Sequence, residues 1–147
     1  MRDIEVISEN EIWYATFGMG LFLHNPGTFT TLNVKDGLDV GGMTFDLVKH
    51  GDKLYIATKN GLFLYQNNKI KKHYTKNDGL PSNMILDLDM DSSGNLWIAT
   101  ANGLSKLSGS VFKNYSRRDG LPSKLVTSLH VDDRDESRIW IGSERSG

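Results

Sequence analysis

The chain has 147 residues, with 17 Lys and Arg against 18 Asp and Glu, for a formal net charge of −1. That balance leaves no basic patch for nucleic acid, and the absence of cysteine excludes a disulfide framework and a thiolate metal site. No apolar run reaches the ~18 residues of a membrane span, and the opening MRDIEV lacks the apolar core of a signal peptide, so no membrane contact by this segment is expected.

The first predicted unit covers about residues 1–37. It opens directly in a strand, continues through the strand Ile12–Thr16 and turns at Phe17-Gly-Met-Gly20. The second covers about 38–79 and begins with Leu38-Asp-Val-Gly-Gly42, one residue longer than its counterparts, so a bulge is expected there. Its strands fall at about 43–48, 53–58, 62–65 and 70–75, with Asn60-Gly61 as a hairpin turn.

The third unit, about 80–120, is the clearest. Residues 84–90 alternate in polarity and read as a strand. Asp91-Ser-Ser-Gly94 has the residues of a type I turn. The next strand, 95–100, is apolar at both parities, which predicts burial of both faces. Asn102-Gly103 reads as a two-residue turn with both residues at positive φ. Strands at 104–107 and 111–115 follow, and Asp119-Gly-Leu-Pro122 leads onward. The incomplete fourth unit, about 121–147, has a longer turn, Asp132–Arg138, and stops where the pattern calls for two more strands.

Three markers keep this beat. Trp13, Tyr55, Trp97 and Trp140 recur at steps of 42, 42 and 43 residues. Asp-Gly-Leu recurs at Asp36, Asp78 and Asp119, and Gly-Leu at Gly20, Gly61 and Gly103. Four short strands in a repeat of about 42 residues make one propeller blade. The expected fold is all-β: a partial β-propeller of about 3.5 four-stranded antiparallel blades. Propellers close with about 4–8 blades, so the chain is expected to be a fragment or half of an assembly, self-associating through its open blade faces.

The segment 91–104, DSSGNLWIATANGL, with Asn77-Asp-Gly-Leu-Pro-Ser-Asn83, closely resembles the two-component regulator propeller repeat. The resemblance implies an extracytoplasmic, typically periplasmic, ligand-sensing region of a bacterial two-component protein. It further implies an oligosaccharide or other small polar ligand, and any kinase domain elsewhere in a parent protein. Other propeller families fit less well. Asp91 lies three residues before Gly94, against two in sialidase-type Asp boxes, and neither Gly-His nor Trp-Asp occurs. The alternatives are a protein-interaction scaffold and a lyase or hydrolase propeller.

The aromatics Trp13, Tyr55, Trp97 and Trp140 lie on strands buried on both faces and are expected in the core rather than against a sugar. His24, His50, His73 and His130 fall at different phases, with no metal-ligand spacing. One polar column stands out. Asp3, Asp46, Asp87 and Ser128 share one phase of the first strand, which lies nearest a propeller's channel. These side chains are candidates for contacting a cation or sugar hydroxyls, or alternatively for simply facing channel water or capping a neighbouring backbone amide. Lys59, Asn60 and Asn102 belong to a second candidate surface, the loop face, together with Asp36, Asp78 and Asp119. The run Lys69–His73 is expected on a solvated outer strand. No catalytic set and no cofactor site is indicated.

Overall fold

The computed structural model describes residues 3–39, 43–135 and 137–144. The strands form successive antiparallel meanders. The first sheet holds β1 (Asp3–Ser8), β2 (Glu11–Ala15), β3 (Leu21–Asn25) and β4 (Thr28–Leu32). The second holds β5 (Thr44–His50), β6 (Lys53–Thr58), β7 (Gly61–Gln66) and β8 (Lys69–Tyr74). The third holds β9 (Ile85–Met90), β10 (Leu96–Thr100), β11 (Gly103–Ser108) and β12 (Val111–Tyr115), and the fourth only β13 (Val126–Val131) and β14 (Ile139–Ser143). This is the propeller-blade architecture expected from the repeat.

The core lies between sheets, and strand periodicity explains why. Successive side chains of a strand point to opposite faces. On β6, Leu54 and Ile56 pack towards the first sheet with Trp13, Ala15 and Leu21, whereas Tyr55 and Ala57 pack towards the third with Ile85, Leu96 and Ile98. On β10, Leu96 and Ile98 face the second sheet, and Trp97 and Ala99 face the fourth with Val126 and Leu129. The middle strands therefore carry no polar face. The outer strands β4, β8 and β12 are mostly exposed, including the lysines of β8.

Trp13, Tyr55 and Trp97 are buried as expected, but Trp140 is 62% exposed. The reason is geometric. Ile139 and Ile141 take the face of β14 that meets the third sheet, which leaves Trp140 on the face that no described sheet covers.

The second-to-third-strand turns differ from the sequence expectation. Thr58 pairs with Gly61 and Thr100 with Gly103, so the loop residues are Lys59-Asn60 and Ala101-Asn102, and each glycine is the first residue of its strand. Neither asparagine has positive φ; the glycines do, at +121° and +114°. A glycine at positive φ after two turn residues is the G1-bulge form of hairpin. A Cβ on Gly61 would stand 2.5 Å from the Tyr74 carbonyl oxygen, and one on Gly103 would stand 2.5 Å from that of Tyr115. Glycine is thus required by backbone angle and by space. The turn with two left-handed residues is Asn67-Asn68, at φ 53° and 60°.

The inner strands share a second irregularity. One extra residue is accommodated at Phe45 in β5, at Leu86 in β9 and at Thr127 in β13. Each lies one position before a member of the Asp46, Asp87, Ser128 column. The bulge expected at Leu38–Gly42 falls partly on residues 40–42, outside the described residues.

Candidate functional site

Two surfaces carry the polar residues singled out in the sequence: the inner edge of the sheets and the loop face. At the inner edge, Asp3, Asp46, Asp87 and Ser128 do share one register, opposite Ala15, Ala57, Ala99 and Gly142 respectively. The first strand of each sheet is an edge strand, so half of its backbone N–H groups have no partner within the sheet. The preceding sheet supplies one. Asp3 accepts from the Leu47 N–H at 3.1 Å, Asp46 from the Leu88 N–H at 2.7 Å, and Asp87 from the Leu129 N–H at 2.7 Å. These are charge-assisted or carboxyl-mediated clasps between consecutive blades. Ser128 is exposed beside Gly142.

A second row, two residues further on, was not singled out in the sequence. Glu5 accepts from the Lys49 backbone, and Asp89 accepts from the Val131 N–H at 2.8 Å while its carboxylate lies 3.1 Å from His130 Nδ1. Its signal was the same phase, shifted by one side-chain repeat. The intervening member of the row is Val48, which has no acceptor, so the pattern was broken in sequence.

The clasps crowd carboxyl groups together. Burial first, and then the neighbouring Asp87 charge, push the Asp46 pKa up to about 9, and its carboxyl also meets Asp87 and Asp3 by hydrogen bonds. Burial and the crowding by Asp87 thus favour the protonated form of Asp46. Burial raises Glu5 as well. Chemically, this column binds blade to blade, and one oxygen of each aspartate is already committed to the next backbone.

A third position was also missed. Asp91 opens the turn of the first hairpin of its blade and accepts from the Asn95 N–H, the Asn95 amide and the Trp97 indole. Burial works to raise its pKa, but these hydrogen bonds outweigh it and hold the carboxyl below the usual range. Asp132 plays the same part for the Trp140 indole at 3.1 Å, and Glu11 for Trp13 at 2.9 Å.

On the loop face, Asp36, Asp78 and Asp119 each close a capping box on a one-turn 3-10 helix, at Val34–Asp36, Lys76–Asp78 and Arg117–Asp119. The N-caps are Asn33, Thr75 and Ser116, three residues earlier. The backbone N–H and hydroxyl of Thr75 hold Asp78 below the usual carboxylate range, and those of Ser116 do the same to Asp119. The asparagine amides bridge hairpin to link: Asn60 donates to the Asp39 carbonyl and Asn102 to the Pro81 carbonyl, each at 3.2 Å. Lys59 is exposed beside them. The structure therefore brings Asn60, Asn102 and the links together on one face, apart from the inner column.

Beside Asn102 this face opens into a pocket of about 280 Å³, walled by Pro81, Asn114 and Tyr115 and by Arg117, Arg118 and Lys124. No group of three or more His, Asp or Glu among the described residues has metal-binding geometry. No helix among them is long and apolar enough to cross a membrane.

Comparison with known proteins agrees with this architecture. Residues 79–102 match the family model described as two component regulator propeller. Over 45 residues the chain is 38% identical to histidine kinase P4 of Formosa agariphila, a match covering 31% of this chain and 3% of that protein. The extracellular domain of the hybrid two component system BT3049 from B. thetaiotaomicron superposes with a TM-score of 0.78 at 18% identity, over 95% of this chain and 20% of that one. That of BT4673 from the same organism gives 0.77 at 23% identity, over 96% and 19%. The chain thus spans about a fifth of those domains. At these identities the superpositions speak for the fold, and the family match speaks for the repeat. The chain is a run of propeller blades carrying the two component regulator propeller repeat, with that repeat recognised at residues 79–102.

Proposed function

We propose that this chain is part of an extracytoplasmic ligand-sensing propeller of a bacterial two-component signalling protein, and that it takes an oligosaccharide or comparable polar ligand on its loop face. The observation that carries this reading is where the family match falls. Residues 79–102 run from the link at Gly79, through Pro81, to the hairpin at Asn102, and so include part of the loop-face pocket wall. Solved neighbours include the extracellular domains of two hybrid two component systems, which supports the location. The chemistry is consistent with recognition rather than turnover: the carboxylates at the inner edge are engaged by backbone N–H groups, and those of the links cap their own turns.

The test is a thermal-shift and calorimetry panel of oligosaccharides on this chain, repeated on Asn102→Ala. A ligand that raises the midpoint for the parent chain and not for the variant supports the reading. A panel with no response, alongside capture of a protein partner that ignores added sugars, would instead establish a scaffold.

A further inference from the structure

We infer that the pocket at the third link is an anion subsite, which takes the sulfate or carboxylate group of a charged saccharide. This deepens the proposed function and rests on it for the sugar; the preference for negative charge rests on the pocket itself.

The successive links are built alike and differ at the positions that matter. At the second link, the Asn83 side chain reaches back and accepts from the Lys76 N–H at 2.8 Å, which draws the link closed. At the third link the equivalent position holds Lys124, a donor that cannot accept, and Lys124 lines the pocket of about 280 Å³. The link's own side chains change in the same sense. Lys76-Asn77 becomes Arg117-Arg118, so one cation becomes three once Lys124 is included.

None of these three cations is within ion-pair distance of a carboxylate among the described residues. The nearest acidic group of the link, Asp119, turns its carboxylate back onto the N–H and hydroxyl of Ser116, at 2.8 and 2.9 Å. Arg118 lends its charge to Asp119 and helps hold that carboxyl low, whereas Arg117 and Lys124 have no such carboxylate, and no acidic residue lines the pocket. A concave surface lined by one sign of charge concentrates the field and the counter-ion. Two guanidinium groups match the planar, multi-oxygen geometry of a carboxylate or sulfate.

The remaining wall suits a sugar ring. Tyr115 offers an aromatic edge, and Asn102 and Asn114 are held in place by bonds to the Pro81 and Gly79 carbonyls. Tyr115 also stacks on Trp97, with ring centroids 5.8 Å apart, so occupancy has an intrinsic fluorescent reporter.

The experiment titrates the chain with a chondroitin sulfate tetrasaccharide, with tetragalacturonate and with neutral cellotetraose. It follows Trp97 fluorescence and the backbone amide signals of residues 102, 114, 117, 118 and 124. Inorganic sulfate serves as the control for simple ion binding. The expected result is binding of one or both anionic sugars, weakening as salt rises, with shifts confined to those amides. Lys124→Asn should restore the closure seen at Asn83 and weaken binding about tenfold or more. Arg117→Gln with Arg118→Gln should do the same while leaving the melting midpoint unchanged. Binding of cellotetraose alone, indifferent to all three substitutions, would overturn the anion subsite and leave the sensing role standing. No response to any sugar would overturn both. Inorganic sulfate binding as tightly as the charged sugars would overturn the saccharide assignment and reduce the pocket to an ion site.

Discussion

The Asp46 carboxyl accepts the backbone N–H of Leu88, 42 residues further along the chain, at 2.7 Å. One side chain thus joins two blades at a separation of one repeat, and the same bond recurs from Asp87 to Leu129. The inner-edge acids are therefore inter-blade fasteners, and the titration of Asp46 is coupled to stability.

Asp46 makes stability fall as pH rises. Its pKa in the folded chain is raised to about 9 from an ordinary 3.8, chiefly by burial. A group raised on folding contributes fully below its unfolded pKa and loses that contribution as pH climbs through the folded one. The affected window is about pH 4 to 9. Asp46→Asn keeps an acceptor for Leu88 and a donor for Asp87 without the ionisation. Urea melts at pH 5 and pH 8 should show the parent weaker at pH 8 and the variant flatter, gaining about 1–3 kcal/mol there. An unchanged pH slope in the variant would sink the assignment.

Asp87→Ala leaves the Leu129 N–H without its acceptor. A lost partner for a half-buried donor costs about 1–3 kcal/mol. Denaturant midpoints should fall accordingly, and hydrogen exchange at Leu129 should speed up more than at Ile98. Equal acceleration at both amides would mean the clasp is not local.

Substitution of hairpin glycines should divide by geometry. Gly103→Ala places a Cβ 2.5 Å from the Tyr115 oxygen at φ +114°, and should cost about 2 kcal/mol or more. Gly109, at φ +62° with open space around it, should accept Asn at about 1 kcal/mol or less. Thermal melts of the two variants test this, and the idea fails if they melt together.

Two tryptophans at one repeat position should behave differently. Trp97 is buried and hydrogen-bonded to Asp91, so Trp97→Ala should cost about 3–5 kcal/mol. Trp140 is 62% exposed, and Trp140→Ala should cost under about 1 kcal/mol in this chain. Comparable losses in chemical denaturation would show that the fourth sheet's open face is covered in solution.

Much of this was legible in the residues alone. The aromatic beat from Trp13 to Trp140, and the doubly apolar strand at 96–100, determine blades packed face to face, because a strand with no polar face needs a neighbour on each side. The shared phase of Asp3, Asp46 and Asp87 was also visible, since periodicity survives without coordinates. Which atoms those carboxyls meet was decided by tertiary structure. Their partners are backbone N–H groups a whole repeat away, and backbone groups carry no sequence signature. The same holds for the hairpins: Asn-Gly is compatible with two registers, and the close approach of the outer-strand carbonyl selects the one with glycine inside the strand. The pocket beside Lys124 is likewise a product of folding, because Pro81, Asn102, Asn114 and Lys124 are far apart in the chain and meet only when the hairpin, the outer strand and the link come together.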